Sequence, residues 1–434
     1  MICVAATCLF TACDSDLGLS GSTYTVGGTV SGLSGSDLVL QNVSDNSTST
    51  LTISSNGSFA FSRRAASGTV YSITIASQPV NPAQTCTLSN GSGTLAGADV
   101  TNVIVTCNPT ARFAYVANKL SNNISAYTIN SVGALTPVAG SPFVSNGSQP
   151  DSVWVGPGGN YLYVANSASN DLSLFSINTG TGLLTPLGTV PTGTAPYAIV
   201  VDPTGSYLYV SNYSSNDVSA YAIDASSGGL TQISGSPFSV GVAPTSLAMS
   251  GGFLYVANYG SGSVSVLQLD SSTGALSSVA GSPFAAGVGP ISIAVDPTGA
   301  FAYVANAGAS TISEYSIDSS TGVLTAVPGS PLATQSSPTS LAAAGGSLLV
   351  TNVTQADNVG TYAIGGTGIL SFSAMVQSGG SPVYVTVDPS GQFAYVACEG
   401  TNNVFVYTIS GGTLTPAAPL SVTAGTDPVS IAIN

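Results

Sequence analysis

No histidine occurs among the 434 residues, and only Arg63, Arg64, Arg112 and Lys119 carry positive charge. The first absence removes the usual general base near neutral pH and the commonest metal ligand. The second stands against eighteen acidic residues and a net charge of −14. Such a surface repels phosphate backbones, so no nucleic-acid partner is expected, and a phosphorylated sugar would find no basic pocket. Only 5% of the chain is charged while 44% is hydrophobic. The apolar run from Met1 to Ala12 is nevertheless too short to span a bilayer. No stretch shows a convincing 3.6-residue apolar period, so helices are not expected.

What the chain has is a repeat. FAYVAN and its variants begin at Phe113, Tyr161, Tyr207, Phe253, Phe301, Ser347 and Phe393, in steps of 46 or 48 residues. A period near 45 residues that holds several short apolar runs is the pattern of a propeller with one four-stranded sheet per repeat. Within each period a first run follows a proline: 152–155, 198–201, 246–249, 292–295, 340–343, 384–387 and 430–433. FAYVAN is the second strand, and runs such as DLSLFSI (171–177) and SVSVLQL (263–269) are the third. A shorter fourth opens on Leu-Thr or Leu-Ser. Val, Ile, Tyr, Phe and Thr between turn residues favour strand throughout.

The first repeat lacks a first strand, and the chain ends on one with no second strand after it. Residues 428–433 are therefore expected beside 113–118, closing a seven-bladed ring and covering its open edges. The fold class is all-β, with the propeller at 110–434. Small residues in the first strands suit a crowded axis.

The N-terminal part differs. Leu9-Phe10-Thr11-Ala12-Cys13 resembles a bacterial lipobox, so residues 1–13 read as a lipoprotein signal with Cys13 as the lipidated residue. No Lys or Arg precedes the apolar run, which points to a start further upstream. Residues 14–22 read as a flexible tether. Residues 23–108 alternate as a small antiparallel sandwich similar to the immunoglobulin-like modules of bacterial surface proteins. In an exported chain Cys86 and Cys107 are the natural disulfide, with two buried thiols as the other reading. Cys398 reads as a buried small residue.

The YVAN and YVSN strands, the DPTG turns and the spacing resemble the lactonase-type seven-bladed propellers, which include 6-phosphogluconolactonases. They also resemble the YVTN repeats of prokaryotic surface proteins. The resemblance covers roughly 110–434 and implies fold more than activity. Lactonases are expected to place His, Arg and Glu around the central opening. No His is present and Arg112 lies at the domain junction, so no catalytic residue is carried over.

The recurring motifs have scaffold readings. Asp202, Asp296 and Asp388 open Asp-Pro-Thr/Ser-Gly connections that suit type I turns. Asp224, Asp270 and Asp318 each bring one carboxylate where calcium needs several, so they read as Asx turns. No metal and no cofactor is expected. Gly-Ser-Pro-Phe at 140–143, 235–238 and 281–284 reads as a blade-to-blade linker.

Candidate binding residues close the second strand. Asn118, Asn166, Asn212, Asn258, Asn306 and Asn352 form a ring of amides that could bind a sugar or peptide, or serve their own loops. Just beyond them stand Lys119, Ser167, Tyr213, Tyr259, Ala307, Val353 and Glu399. Tyr213 and Tyr259 read as an aromatic platform, and Lys119 and Glu399 as an ion pair across the seam.

Two functions fit. The first is a lipid-anchored or secreted, monomeric binding module for a glycan, peptide or cell-surface protein. The second is a lactonase acting on an uncharged or cationic lactone through Asp171, Asp217 or Glu399 and water.

Overall fold

A computed structural model describes residues 22–33, 36–79, 84–109, 112–156, 158–334, 336–353 and 357–434. The lipobox-like segment with Cys13 and the tether up to residue 21 lie outside these. The chain divides into two compact units, one ending at Thr110 and the other spanning Ala111–Asn434. Every regular element among the described residues is a strand.

The N-terminal unit holds two four-stranded sheets. One runs in the order Gly57–Ala60, Val26–Ser31, Val100–Pro109, Gln84–Ser89, and the other Ser47–Ile53, Leu38–Ser44, Val70–Ser77, Ser92–Thr94. Alternating residues of both point inward, and Val26, Val30, Leu38, Leu40, Ile73, Val103 and Val105 form one core. Cys86 and Cys107 face each other on neighbouring strands and are bonded. The expected all-antiparallel pattern is corrected at one place: Val26–Ser31 and Val100–Pro109 pair in parallel.

The second unit is built of seven sheets. The second strands are Arg112–Asn118, Tyr161–Asn166, Tyr207–Asn212, Phe253–Asn258, Phe301–Asn306, Ser347–Val353 and Phe393–Cys398. Most of their side chains are buried, because each sheet is covered on both faces and inward and outward positions alike meet apolar neighbours. The first strands are Pro150–Val155, Pro196–Val201, Pro244–Ser250, Pro290–Val295, Ser337–Ala344, Pro382–Val387 and Pro428–Ile433. Each lies against the next, and Pro428–Ile433 touches both Pro382–Val387 and Pro150–Val155.

The final strand pairs with the first sheet, with Tyr115 opposite Ala432 and Val116 opposite Ile431. Serine recurs in the first strands because its hydroxyl bridges neighbours at the axis. Ser152 Oγ accepts from Ile199 N at 3.2 Å, Ser292 Oγ from Leu341 N at 3.1 Å, and Ser430 Oγ from Val153 N at 3.2 Å.

The tyrosine of FAYVAN latches each blade to the next. Tyr163 Oη donates to the Gly228 carbonyl at 3.1 Å, Tyr209 to Gly274 at 2.9 Å and Tyr303 to Gly368 at 3.0 Å. Tyr395 reaches Gly133 at 2.9 Å, which joins the last blade to the first. Two blades lack the latch: the sixth has Leu349 at this position, and the buried Tyr255 hydroxyl of the fourth has no partner among the described residues. Tyr163→Phe, Tyr209→Phe and Tyr303→Phe are therefore expected to cost about 1 kcal/mol each, since a buried carbonyl loses its donor. Tyr255→Phe is expected to be neutral or slightly stabilising. Denaturant midpoints of the four single variants check this, and equal costs at all four positions would refute the latch.

The fourth strand is where sequence and structure part. Gly-Ser-Pro-Phe does not link blades but interrupts the fourth strand, whose halves both pair with the third, as Leu135–Pro137 and Phe143–Val144 do with Asn123–Ile129. The interrupting serine replaces the missing ladder bond. Ser141 Oγ accepts from Ala126 N at 2.8 Å and Ser236 Oγ from Ala220 N at 2.9 Å.

Candidate functional site

Six of the first strands start two residues earlier than their apolar runs, at a proline followed by one extra residue, and the sixth blade's starts at Ser337, just before its Pro338. Pro150 lies opposite Asn166 and Ser152 opposite Ala165, so Asp151 is left out of the ladder. The same slip occurs at Tyr197, Thr245, Ile291, Thr339, Val383 and Val429. Such a bulge re-aims a side chain, and these innermost strands surround the axis. Thr245 and Thr339 show the direction: their hydroxyls cross to the Pro290 and Pro382 carbonyls of the adjacent first strands, at 3.0 and 2.7 Å. The seven bulged residues thus stand at one end of the first strands that surround the central channel, with Ile291 and Val429 packed against the neighbouring cores.

The loops after the second strands are fastened at this end. Lys119 N donates to the Asp427 carbonyl at 2.8 Å, Tyr213 N to Ala195 at 2.9 Å, Tyr259 N to Ala243 at 2.8 Å and Glu399 N to Ser381 at 3.0 Å. The accepting residues precede the prolines and hold a left-handed backbone, with φ of 54° at Ala195, 55° at Ala243 and 62° at Asp427. Side chains with a Cβ rarely adopt this conformation. Asparagines from the preceding blade enforce it: Asn170 Oδ1 accepts from Ala195 N at 2.7 Å and Asn402 Oδ1 from Asp427 N at 2.8 Å.

On this frame the charges gather at one side. Lys119 Nζ lies 2.7 Å from Asp151 Oδ1, with side-chain exposures of 30% and 5%. Burial pushes the Asp151 carboxyl up, and Lys119 offsets only part of that. Glu399 reaches solvent, yet partial burial raises its carboxyl, the Asp427 carboxylate beside it raises it further, and Lys119 opposes weakly. The expected Lys119–Glu399 ion pair is thus corrected. The residue after the proline in the next blade brings Asp151 closer to the ammonium, and Glu399 is left facing Asp427.

Aromatic rings gather at the other side. The Tyr197 and Tyr213 rings lie 6.0 Å apart at 34°. Tyr213 and Tyr259 are 36% and 40% exposed. Tyr197 joins the two sides. Burial, then the charges of Asp151 and Glu399 and the phenols of Tyr213 and Tyr259, push its hydroxyl up to about 12.

Other expected site residues have different surroundings. The six asparagines are buried, and their amide hydrogens tie the second strand to the third. Asn166 Nδ2 donates to Asp171 Oδ1 and Ser173 Oγ, both at 2.8 Å, and Asn212 Nδ2 to Asp217 Oδ1 at 2.7 Å and Ser219 Oγ at 2.8 Å. The ligand-facing reading of this ring is corrected accordingly. Asp171 and Asp217 also accept from Ser169 and Ser215, both at 3.1 Å, which makes them turn scaffolding in place of catalytic carboxylates. Cys398 is buried and its thiol pushed up to about 12 by that burial, so it is no nucleophile. Arg112 opens the second strand of the first blade and pairs with the buried Asp388 of the last. Asp224 accepts from the Ser226 and Ser227 hydroxyls at 2.7 and 2.8 Å and from Ser226 N at 2.9 Å as an Asx turn, and these bonds hold its carboxyl down at about 2. Among the described residues no three His, Cys, Asp or Glu side chains are grouped to hold a metal.

Asp151, Tyr197 and Asp427 are the candidate-site residues that sequence reasoning missed. The proline before each first strand was their signal.

A family profile described as "Lactonase, 7-bladed beta-propeller" matches residues 69–243 and 277–387. Among solved structures, a candidate 6-phosphogluconolactonase from Bacteroides uniformis is 18% identical with a TM-score of 0.66, covering 75% of this chain and 100% of its own. A candidate 6-phosphogluconolactonase from Bacteroides fragilis is 19% identical with a TM-score of 0.66, over 75% and 98%. The periplasmic gluconolactonase of Pseudomonas aeruginosa is 18% identical with a TM-score of 0.65, over 75% and 99%. At these identities the likeness is one of fold. No curated protein matches the chain.

Proposed function

The chain belongs to the seven-bladed β-propeller lactonase family, and from that premise we propose that it is an extracytoplasmic carbohydrate-binding propeller. The observation that carries this reading is the set of exposed tyrosines beside a carboxylate cluster at one end of the channel. Aromatic faces stack on the C–H face of a sugar ring, and carboxylates accept from its hydroxyls. One lysine among three carboxylates disfavours phosphorylated substrates. The Cys86–Cys107 disulfide supports an oxidising compartment, and the lipobox-like segment supports anchoring at the envelope. The N-terminal unit serves as an immunoglobulin-like stalk in this reading.

Lactone hydrolysis is the second reading, favoured by an exposed Glu399 whose carboxyl Asp427 raises and Lys119 lowers. Ionised Glu399 would take a proton from water as its oxygen adds to the lactone carbonyl. Lys119 would steady the oxyanion, and the ring oxygen would leave with the proton, giving a hydroxy acid. Titration of neutral sugars and lactones into the full chain tests the first reading, with a lactone-turnover assay alongside. Binding without turnover supports the first. Turnover abolished by Glu399→Gln, in a variant that still folds, overturns it for the second.

A further inference from the structure

We propose that the channel mouth selects an amino sugar, with the protonated amine seated at Asp151, Glu399 and Asp427 and the ring laid on Tyr213 and Tyr259. This rests on the carbohydrate-site reading above and names the ligand class for it.

Three observations point the same way. The first is an unbalanced charge: Asp151, Glu399 and Asp427 meet a single ammonium, Lys119, which is bonded to Asp151 Oδ1. The second is an orphan acceptor. Asp151 Oδ2 is buried and has no partner among the described residues, on a side chain only 5% exposed. The Ser167 hydroxyl beside it gives its hydrogen to the Gln149 carbonyl at 3.1 Å instead. A charged oxygen buried without a donor is costly, and a ligand ammonium supplies the missing donor together with the missing charge.

The third is the shape of the surroundings. Tyr197 is in ring contact with Tyr213, and Asp151, Glu399 and Tyr259 each raise its hydroxyl, so carboxylates and aromatic rings meet around one residue. Tyr197 and Tyr213, 6.0 Å apart and tilted by 34°, form a slanted wall rather than a closed slot. A hydroxylated ring with one C–H face fits such a wall, and an ammonium at its edge also gains from the aromatic quadrupoles. The remaining bulged positions are Thr245, Ile291, Thr339, Val383 and Val429, and both threonine hydroxyls are bonded to backbone carbonyls. None of the seven positions offers a cation to an anionic group.

The test is calorimetric titration of the full chain with chitotriose, the trimer of glucosamine, and with its fully N-acetylated counterpart, which keeps the ring and loses the charge. Chitotriose is expected to bind at least tenfold more tightly. Glu399→Gln and Asp151→Asn are each expected to weaken chitotriose about tenfold, the scale of one charge-assisted hydrogen bond. The acetylated trimer should change less than twofold in both. Tyr259→Ala should weaken both sugars. Glu399 is exposed at the rim, so Glu399→Gln decides the matter if Asp151→Asn fails to fold. Equal affinity for the two trimers overturns the amine assignment and leaves the carbohydrate site standing. Absence of binding by either trimer and by neutral sugars overturns both.

Discussion

Removal of residues 428–434 is expected to unfold the propeller at temperatures where the full chain stays intact. The lost strand supplies the ladder partners of Ala114 to Asn118. Its side chains also serve two interfaces at once: Val429 and Ala432 pack in the core shared with the second blade, and Ile431 in the core shared with the seventh. Asn434 adds a bond from Phe113 N to its Oδ1 at 2.6 Å. Deletion exposes both interfaces and the sheet edge of Arg112–Asn118, a loss on the order of the whole 5–15 kcal/mol margin of a folded domain. Circular dichroism melting and limited proteolysis check it. The N-terminal unit, with its own core and disulfide, is expected to survive as the resistant fragment. A truncated chain that melts cooperatively within a few degrees of the full one would show that the seam contributes little.

The second large effect is expected from Lys119→Met. Asp151 would keep a buried carboxylate and lose its only ion-pair partner, a change that costs about 3–5 kcal/mol when the charge is fully enclosed. Lys119 is 30% exposed, so water lessens the loss and the lower end of that range applies. Replacing both partners, as Lys119→Met with Asp151→Leu, should recover most of it, because no charge then remains to be solvated.

The pH dependence has a definite sign. The folded Asp151 carboxyl lies above its ordinary value, chiefly through burial. Its stabilising contribution is therefore complete below the unfolded value of about 3.9 and is lost as pH rises through the folded value. In the Lys119→Met chain the folded value climbs further. The gap between variant and wild type should thus be widest near neutral pH and close on acidification. Urea unfolding at several pH values measures this, and a gap that widened in acid would refute the pairing.

The period of FAYVAN and the apolar runs within each period determined the number of sheets and the order of their first three strands. Strands beginning at Tyr161, Phe253 and Phe393 stand where the repeat places them, because a sheet covered on both faces leaves a continuous apolar run in the sequence. Cys86 and Cys107 were legible for a similar reason, as two strand positions in one short segment. The fourth strand was less legible, since a serine hydroxyl can stand in for a ladder bond and no apolar pattern records that.

The candidate site was decided in three dimensions. Counting apolar residues starts each first strand after its bulge, and so passes over Asp151 and Tyr197, the residues that occupy the bulges. Sequence alone set Lys119 against Glu399, its only charged counterpart at equivalent positions. The structure sets it against Asp151, 32 positions along the chain. Repeat arithmetic fixes which blades adjoin, but ion pairing depends on distances of a few ångströms, and those are set by the bulge and the left-handed residue before each proline.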